Sequence, residues 1–360
     1  MKNQLILGLD IGGANTKAAL ILFEKNQMSK TFSYIEYFPF WEKNINEIPK
    51  MLKRIVNYLI YKNQFNQFDL DYIAITITAE LSDAFQTKKE GINTILDALE
   101  KVFQKEKMFF ISSTNEFFSF DKARKEYIKI AAANWVSTAL FLGHFESKCI
   151  LIDAGSNTID IIPVSNSVPI TKGKDDVSRL LNHELIYTGG LRATIPSITH
   201  FVPFKGEMIR ISFEKFALIS DVHRILNNIS EQQYINDTAD NRSKSIDDCY
   251  ARLSRIICAD IDMISRDDLN KIAEYIYQKQ LEIISDEIKI FMENLVKFWQ
   301  EFDLNFKFII TGLSAEFLIR KVLESLGYKK IEIYEEITNI PDKISSSAFA
   351  VAGAFYYHLK

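Results

Sequence analysis

The sequence predicts an α/β protein built from two domains of related design. Its first warrant is "LGLDIGGANTKAAL" at residues 7 to 20. An apolar run from Leu5 to Leu9 ends at Asp10, passes Gly12, Gly13 and Asn15, and re-enters an aliphatic run from Thr16 to Leu22. Gly12, Gly13 and Asn15 tolerate positive φ and read as the turn of a β-hairpin. The second warrant is "CILIDAGSNTIDIIPV" at 149 to 164, where Asp153 and Gly155 repeat the Asp10 and Gly12 pattern. The third is "FKFIITGLSAEFLIRKVL" at 306 to 323, a strand, a Thr-Gly break and a helix with Leu313, Phe317, Leu318 and Val322 near one face.

A plain hairpin requires neither Asp10 at the end of its first strand nor Thr16 and Lys17 at the start of its second. A carboxylate beside a turn of small residues, with backbone N–H groups and a lysine nearby, suits a phosphate oxygen and its magnesium ion. An ordinary polar hairpin is the alternative. Hairpin, hairpin and strand-Gly-helix in this order resemble the two phosphate motifs and the adenosine motif of the actin, sugar kinase and Hsp70 superfamily. That resemblance implies two related actin/ribonuclease H-like domains facing an interdomain cleft, with hairpins gripping phosphates from opposite walls. The expected domains are residues 1–145, with the first phosphate hairpin, and 146–360, with the second hairpin and a helical insertion.

Composition permits such a fold and excludes several functions. The chain has 360 residues, 47% of them hydrophobic and 25% charged, ordinary usage for two domains with proper cores. A net charge of −4 leaves no electrostatic footprint for nucleic acid. No apolar run approaches the roughly 20 residues of a membrane span, and Met1 to Asp10 lacks the long apolar segment of a secretory signal, so a cytoplasmic protein is expected. Cys149, Cys249 and Cys258 are too widely spaced for a CxxC metal site, and Cys149 falls in an apolar strand.

The remaining elements follow from periodicity. Residues 30 to 40 read as a third strand, and 45 to 62 as a helix with Ile48, Leu52, Ile55 and Leu59 on one stripe. Residues 72 to 78 read as a buried strand, 92 to 103 as a helix, 108 to 112 as a short strand and 131 to 142 as a helix. The stretch 247 to 300 is charged and largely helical.

Four further stretches narrow the function. "TITAELSDAFQTKKEGI" at 76 to 92 leaves a strand and presents Glu80, Ser82 and Asp83, and strand ends of open α/β sheets are where ligands bind. "AAANWVSTALFLG" at 131 to 143 interrupts an Ala-rich helix with Asn134 and Trp135. "ELIYTGGLRATIPSI" at 184 to 198 carries Thr188, Gly189, Gly190 and Arg192, and "SDVHRIL" opens a helix with Asp221 and His223. With "DIGGANTK", "DAGSNTIDI" and the C-terminal "SSAFAVAGAF", these segments resemble one family over most of the chain. It is the methanofuran-biosynthesis family of furan-methanamine synthases, also called tetrahydromethanopterin-linked C1 transfer pathway proteins, a hydantoinase A-like branch of the superfamily.

The resemblance implies an ether synthesis: [5-(aminomethyl)furan-3-yl]methyl diphosphate joined to γ-glutamyltyramine with release of diphosphate. The phosphate grip would then hold a leaving group. Asp10 and Asp153 are expected to orient Mg²⁺ or its waters, with turn caps as the alternative. Gly12, Gly13, Ala14, Asn15, Gly155, Ser156 and Asn157 are expected to line the phosphate site, and Lys17 either touches phosphate or is a solvated lysine. Glu80 is the candidate base or substrate anchor, its rival a cap on the following helix; Asp83 is a secondary candidate. Asn134 and Trp135 are candidate substrate contacts, Trp135 stacking on an aromatic substrate or serving as core. Arg192 closes on diphosphate or forms a surface ion pair, and His223 reads as structural. At Gly312, ATP-using relatives carry a Gly-Gly pair; here Leu313 occupies the second position and would crowd a purine, so ATP is not expected. The alternative class is an ATP-dependent small-molecule kinase or hydantoinase-like hydrolase. A noncatalytic scaffold that keeps the fold is a third possibility, disfavoured by the Asp10 and Asp153 pairing.

Overall fold

A computed structural model of the chain describes residues 3–66, 69–299 and 306–360. The strands are β1 (Gln4–Gly12), β2 (Asn15–Glu24), β3 (Gln27–Tyr37), β4 (Tyr72–Thr78), β5 (Met108–Ile111), β6 (Phe117–Ser119), β7 (Cys149–Ala154), β8 (Ile159–Ser165), β9 (Val168–Pro169), β10 (Leu185–Ile186), β11 (Phe201–Phe204), β12 (Glu207–Arg210), β13 (Lys307–Thr311) and β14 (Ile331–Ile333). The helices are α1 (Ile48–Val56), α2 (Lys88–Glu100), α3 (Phe120–Lys125), α4 (Tyr127–Ile130), α5 (Asn134–Gly143), α6 (Asp176–Leu181), α7 (Ile219–Ile225), α8 (Ile246–Arg255), α9 (Arg266–Phe298), α10 (Lys321–Ser325), α11 (Tyr334–Thr338) and α12 (Ser346–His358). Two compact units emerge: Met1–Leu151 with Ile162–Leu181 and Glu332–Lys360, and Ile152–Ile161 with Asn182–Ile331.

The first unit carries a six-stranded sheet in the order β3-β2-β1-β4-β5-β6. β1, β2 and β3 form an antiparallel meander, β4 and β5 join in parallel, and β6 returns antiparallel. Alternation along β1 explains its sequence. Leu5, Leu7, Leu9 and Ile11 enter one core with Met51 and Ile55 of α1 and Ile95 and Leu99 of α2. The opposite face receives α12, and it does so at backbone distance. A Cβ at Gly8 would lie 2.0 Å from the Ala348 carbonyl oxygen, so glycine in β1 and small residues in α12 are one requirement seen from two sides.

Several elements differ from the sequence expectation in instructive ways. The helix expected at 92 to 103 begins earlier, at Lys88, because Thr87 Oγ1 accepts from the Glu90 N–H at 3.1 Å and caps it. The helix expected from residue 131 begins at Asn134, since Ala131 bridges to Ile77 in parallel and Ala132 takes a φ of 49°. The helix expected over 45 to 62 forms as a 3₁₀ turn at Ile45–Glu47, then α1, then a π-helical turn at Asn57–Tyr61.

A second sheet runs β10-β8-β7-β13-β14, with β9 on β8. β11 and β12 form a separate two-stranded hairpin. The helical core of the second unit gathers Val222 and Ile225 of α7, Leu253 of α8 and Leu269, Ile272 and Ile276 of α9. The helical stretch expected over 247 to 300 is thus α8 and the 33-residue α9; residue 300 lies outside the described residues. Among the described residues no helix is long and apolar enough to cross a membrane.

Candidate active site

In the first unit, the strand period places Asp10 on the α12 face of β1. The Ser347 hydroxyl of α12 donates to Asp10 Oδ2 at 2.5 Å. Asp10 Oδ1 is buried with no hydrogen-bond partner, as is the hydroxyl of Thr76, its cross-strand partner on β4. On the other side its partner is Lys17, half-buried on the same face. Buried polar atoms are nearly always satisfied in folded proteins, so a carboxylate oxygen and a hydroxyl left open on one face make this a candidate ligand position.

The turn itself corrects one expectation: none of Gly12, Gly13 and Asn15 has positive φ. Gly12 is required by proximity instead, since a Cβ there would sit 2.8 Å from the Asn15 carbonyl oxygen. The Phe38 and Phe40 N–H groups donate to the Ala14 and Gly13 carbonyls, both at 2.9 Å, which fixes the turn against the end of β3. A Cβ on Gly13 would lie 3.7 Å from that of Ser82, so the hairpin turn and the loop after β4 are neighbours.

That loop holds Glu80, 1% exposed, with Oε2 buried and lacking a hydrogen-bond partner. Gly91 explains how it is enclosed. A Cβ there would lie 2.5 Å from the Glu80 carbonyl oxygen, so α2 presses directly on this backbone. The cap on α2 is Thr87, with Glu90 Oε2 reciprocally accepting from the Gln86 N–H at 2.8 Å, which leaves the Glu80 carboxyl out of the capping. Burial pushes the Glu80 carboxyl up to about 7, partly countered by its own backbone N–H and by Lys88, with Asp176 adding to the rise. Lys88 Nζ and Asp176 Oδ2 are paired at 3.3 Å. Asp83 is exposed, and Ser82 Oγ is a further buried hydroxyl without a hydrogen-bond partner.

At the start of α5, Asn134 is half-buried and its carbonyl accepts from the Ser137 and Thr138 hydroxyls at 2.8 and 3.3 Å. Trp135 is 2% exposed, and the Arg179 guanidinium lies over its ring at 4.4 Å. One ring face is therefore taken by a cation from the chain itself. Sequence reasoning missed Arg179, Ser347 and Thr76, because their partners lie far away along the chain.

In the second unit, the segments predicted to matter meet around the β7–β8 turn. The Gly189 N–H donates to Asn157 O at 2.8 Å, Gly190 to Gly155 O at 3.0 Å, and Leu191 and Arg192 to Ser156 O at 3.0 and 3.1 Å. The Gly155 N–H itself bonds to Thr158 O at 2.9 Å, so this donor closes the turn. Gly312, at φ 94°, would bring a Cβ within 2.4 Å of Ala154 O and 2.8 Å of Asp153 Oδ1. Ser314 Oγ donates to the Ala154 and Gly155 carbonyls at 3.0 and 3.2 Å. Leu313 packs against the helical core of this unit.

A buried relay supports the Gly189-Gly190 turn. Gln280 of α9, fully buried, donates to Thr188 Oγ1 and Gly189 O at 3.1 Å each, and its Oε1 accepts from His223 Nε2 at 3.0 Å. Asn228 Nδ2 bonds to His223 Nδ1 at 3.1 Å. Burial lowers His223 to about 3, so it is a neutral structural imidazole, in keeping with its sequence reading. Asp221, also fully buried, is held by Arg252, by the Tyr234 hydroxyl and by the Leu218 N–H.

Fold and hairpins together define an α/β protein of the actin-like class. Its chain matches that of a nucleotide-free acetone carboxylase at a TM-score of 0.56, with 10% identity over 98% of this chain and 70% of the other, a likeness of fold alone. The chain belongs to the hydantoinase/oxoprolinase family, matched over residues 71–358, and to the branch of the (4-{4-[2-(γ-L-glutamylamino)ethyl]phenoxymethyl}furan-2-yl)methanamine synthases. It is 36% identical to the synthase of Methanocaldococcus jannaschii over 97% of this chain and 96% of that one. A synthase of Methanococcus vannielii is 33% identical over 49% of this chain and 75% of its own length.

Proposed function

We propose that this chain is an enzyme of methanofuran biosynthesis, an alkyl/aryl transferase that joins a furylmethyl diphosphate to the phenol of γ-glutamyltyramine and releases diphosphate. The observation that carries this reading is its 36% identity, over nearly the whole of both chains, to a relative named for the coupled product. Both curated relatives reported above carry this synthase's name, whereas the hydrolase alternative has only the name of the broader hydantoinase/oxoprolinase family behind it.

The chemistry asks little of the protein beyond placement, charge and one proton transfer. The furan oxygen donates into the exocyclic carbon, so its bond to the diphosphate oxygen weakens as the phenol oxygen attacks. The new aryl ether bond forms, diphosphate leaves with the old bond's electron pair, and the phenol proton passes to a base. Glu80 is the proposed base. Held near 7 by burial, its carboxylate is half ionised at neutral pH and far more basic than a solvated glutamate, which suits a phenol of pKa about 10.

In the first unit Asp10 is the proposed carboxylate contact to magnesium-bound diphosphate, with Asn15 and Lys17 as further phosphate contacts; in the second unit Asp153 is proposed for the same kind of contact, with Ser156 and Arg192. Among the described residues no cluster of three His, Cys, Asp or Glu side chains could hold a metal ion. The open, hard oxygen of Asp10 fits the usual magnesium arrangement, in which one or two carboxylates share the ion with substrate phosphates and water. When bound, the ion would neutralise the departing charge. The enzyme is proposed to be cytoplasmic and to use no ATP.

Calorimetry with diphosphate and magnesium tests the site. Binding that needs magnesium and is lost in Asp10→Asn or Asp153→Asn supports the reading; diphosphate binding unchanged in both variants removes it.

A further inference from the structure

Four backbone N–H groups, those of Gly189, Gly190, Leu191 and Arg192, fasten on three consecutive carbonyls of the β7–β8 turn, Gly155, Ser156 and Asn157. A planar trans peptide points the N–H of each residue away from the carbonyl before it. With those carbonyls turned toward the 189–192 segment, the N–H groups of Ser156, Asn157 and Thr158 are turned the other way, and they make no hydrogen bond among the described residues. The segment therefore decides where this turn aims its donors. It does so at backbone contact, since a Cβ on Gly189 would sit 2.7 Å from both Asn157 N and Gly155 O.

Gln280 holds the segment, and its amide has one allowed direction. A carbonyl oxygen only accepts, so the atom 3.1 Å from Gly189 O is the Gln280 amide nitrogen, which also donates to Thr188 Oγ1 at 3.1 Å. Oε1 then faces His223 Nε2 at 3.0 Å. Burial keeps this imidazole neutral, so its proton is on Nε2 and Nδ1 accepts from Asn228 Nδ2 at 3.1 Å. Gln280 and His223 are both fully buried, and no charged side chain joins these bonds. The rings beside His223 belong to Tyr277 and Phe317, and the Tyr277 hydroxyl is engaged by the Phe317 carbonyl.

We infer that Gln280 is a positioning residue for diphosphate: through Thr188 and Gly189 it holds the segment that turns the Ser156, Asn157 and Thr158 N–H groups toward the ligand. The inference rests on the proposed role of this turn in holding diphosphate. It gives α7 and α9 a part in binding the leaving group, beyond packing.

The test uses the full chain with Gln280→Glu. The introduced carboxyl still accepts from His223, but when ionised it sets an oxygen against Gly189 O with no proton between them; when protonated it donates there again. Calorimetry with magnesium and diphosphate is expected to show binding weakened about tenfold or more at pH 8, the ratio to the parent returning toward one as pH falls and the carboxyl takes up its proton. In coupling, KM for the furylmethyl diphosphate should rise while KM for γ-glutamyltyramine keeps its parent value. Gln280→Met offers Gly189 no donor at any pH and should show the loss without the acid recovery, and it serves where the glutamate variant does not fold at pH 8. Parent affinity at pH 8, a loss in Gln280→Glu that acid does not reverse, or equal rises in both KM values overturn the inference. The reading beneath it fails separately. If the parent chain binds no diphosphate, the turn is not that site, while amide hydrogen exchange at residues 189–192, faster in Gln280→Glu or unchanged, still decides whether Gln280 holds the segment.

Discussion

Ser347 donates its hydroxyl proton to Asp10 Oδ2 at 2.5 Å, tying the end of the first strand to the start of the last helix across 337 positions of sequence. With one oxygen occupied, the other is left buried and open, so the carboxylate is both fixed in direction and unfinished. Replacing Ser347 with Ala strips a buried carboxylate of its donor. Urea unfolding should show a loss of roughly 1–3 kcal/mol, and coupling should fall while Ser347→Thr, which keeps a hydroxyl, retains more of both. A Ser347→Ala variant with parent stability and turnover would show that the bond is incidental.

Asp10→Asn keeps the size of the side chain and removes its charge. Turnover at limiting magnesium should drop by orders of magnitude with the circular dichroism spectrum unchanged. Near-parent turnover would make Asp10 a turn residue and nothing more.

The meeting of Gly8 with Ala348 is a contact of backbone, which no rotamer change can relieve. Gly8→Ala should destabilise the protein by about 3 kcal/mol or prevent soluble expression, and shortening Ala348 to Gly should not rescue it, because the obstructing atom is a carbonyl oxygen 2.0 Å away. Rescue by that second change would contradict the packing described.

Glu80 and His223 predict opposite slopes of stability against pH. Glu80 has its folded pKa raised from 4.5 to about 7, so the folded state binds the proton more tightly than the unfolded chain. Its contribution is complete below about 4.5 and is lost as pH rises through 7. Glu80→Gln should therefore gain roughly 1–3 kcal/mol over the parent at pH 8 relative to pH 4. His223 is lowered from 6.5 to about 3, so its contribution is present above 6.5 and is lost as pH falls through 3. Denaturant midpoints between pH 3 and pH 8 check both signs; slopes that survive in Glu80→Gln and His223→Gln would assign the dependence to other groups.

Arg252 and Asp221 form a pair with both side chains fully buried. Arg252→Met leaves the Asp221 charge uncompensated and should cost about 3–5 kcal/mol, measured by thermal or denaturant unfolding. A loss under about 1 kcal/mol would mean that solvent reaches Asp221.

Much of this was legible in advance because local patterns carry it. Alternation around Asp10, the repeat at Asp153 and the break at Gly312 located both hairpins and the strand-Gly-helix element from residue types alone. What escaped was non-local. Ser347 serves Asp10 through strand-to-helix packing, and Gln280 supports Gly189 across 91 positions, neither of which any sequence period encodes. Local reading also mistook a cause: Gly12 looked like a left-handed turn residue, whereas it is demanded by the approach of the Asn15 carbonyl. At Ala131 the helix propensity of alanine yields to pairing with Ile77, a tertiary contact that outweighs a weak local preference.

The most direct test of the central claim is coupling itself. The purified chain is incubated with furylmethyl diphosphate, γ-glutamyltyramine and magnesium, with and without ATP, and the products are followed by mass spectrometry. The account predicts the aryl ether and diphosphate in equal amounts, at a rate that ATP leaves unchanged. Formation of ADP with no ether would contradict it.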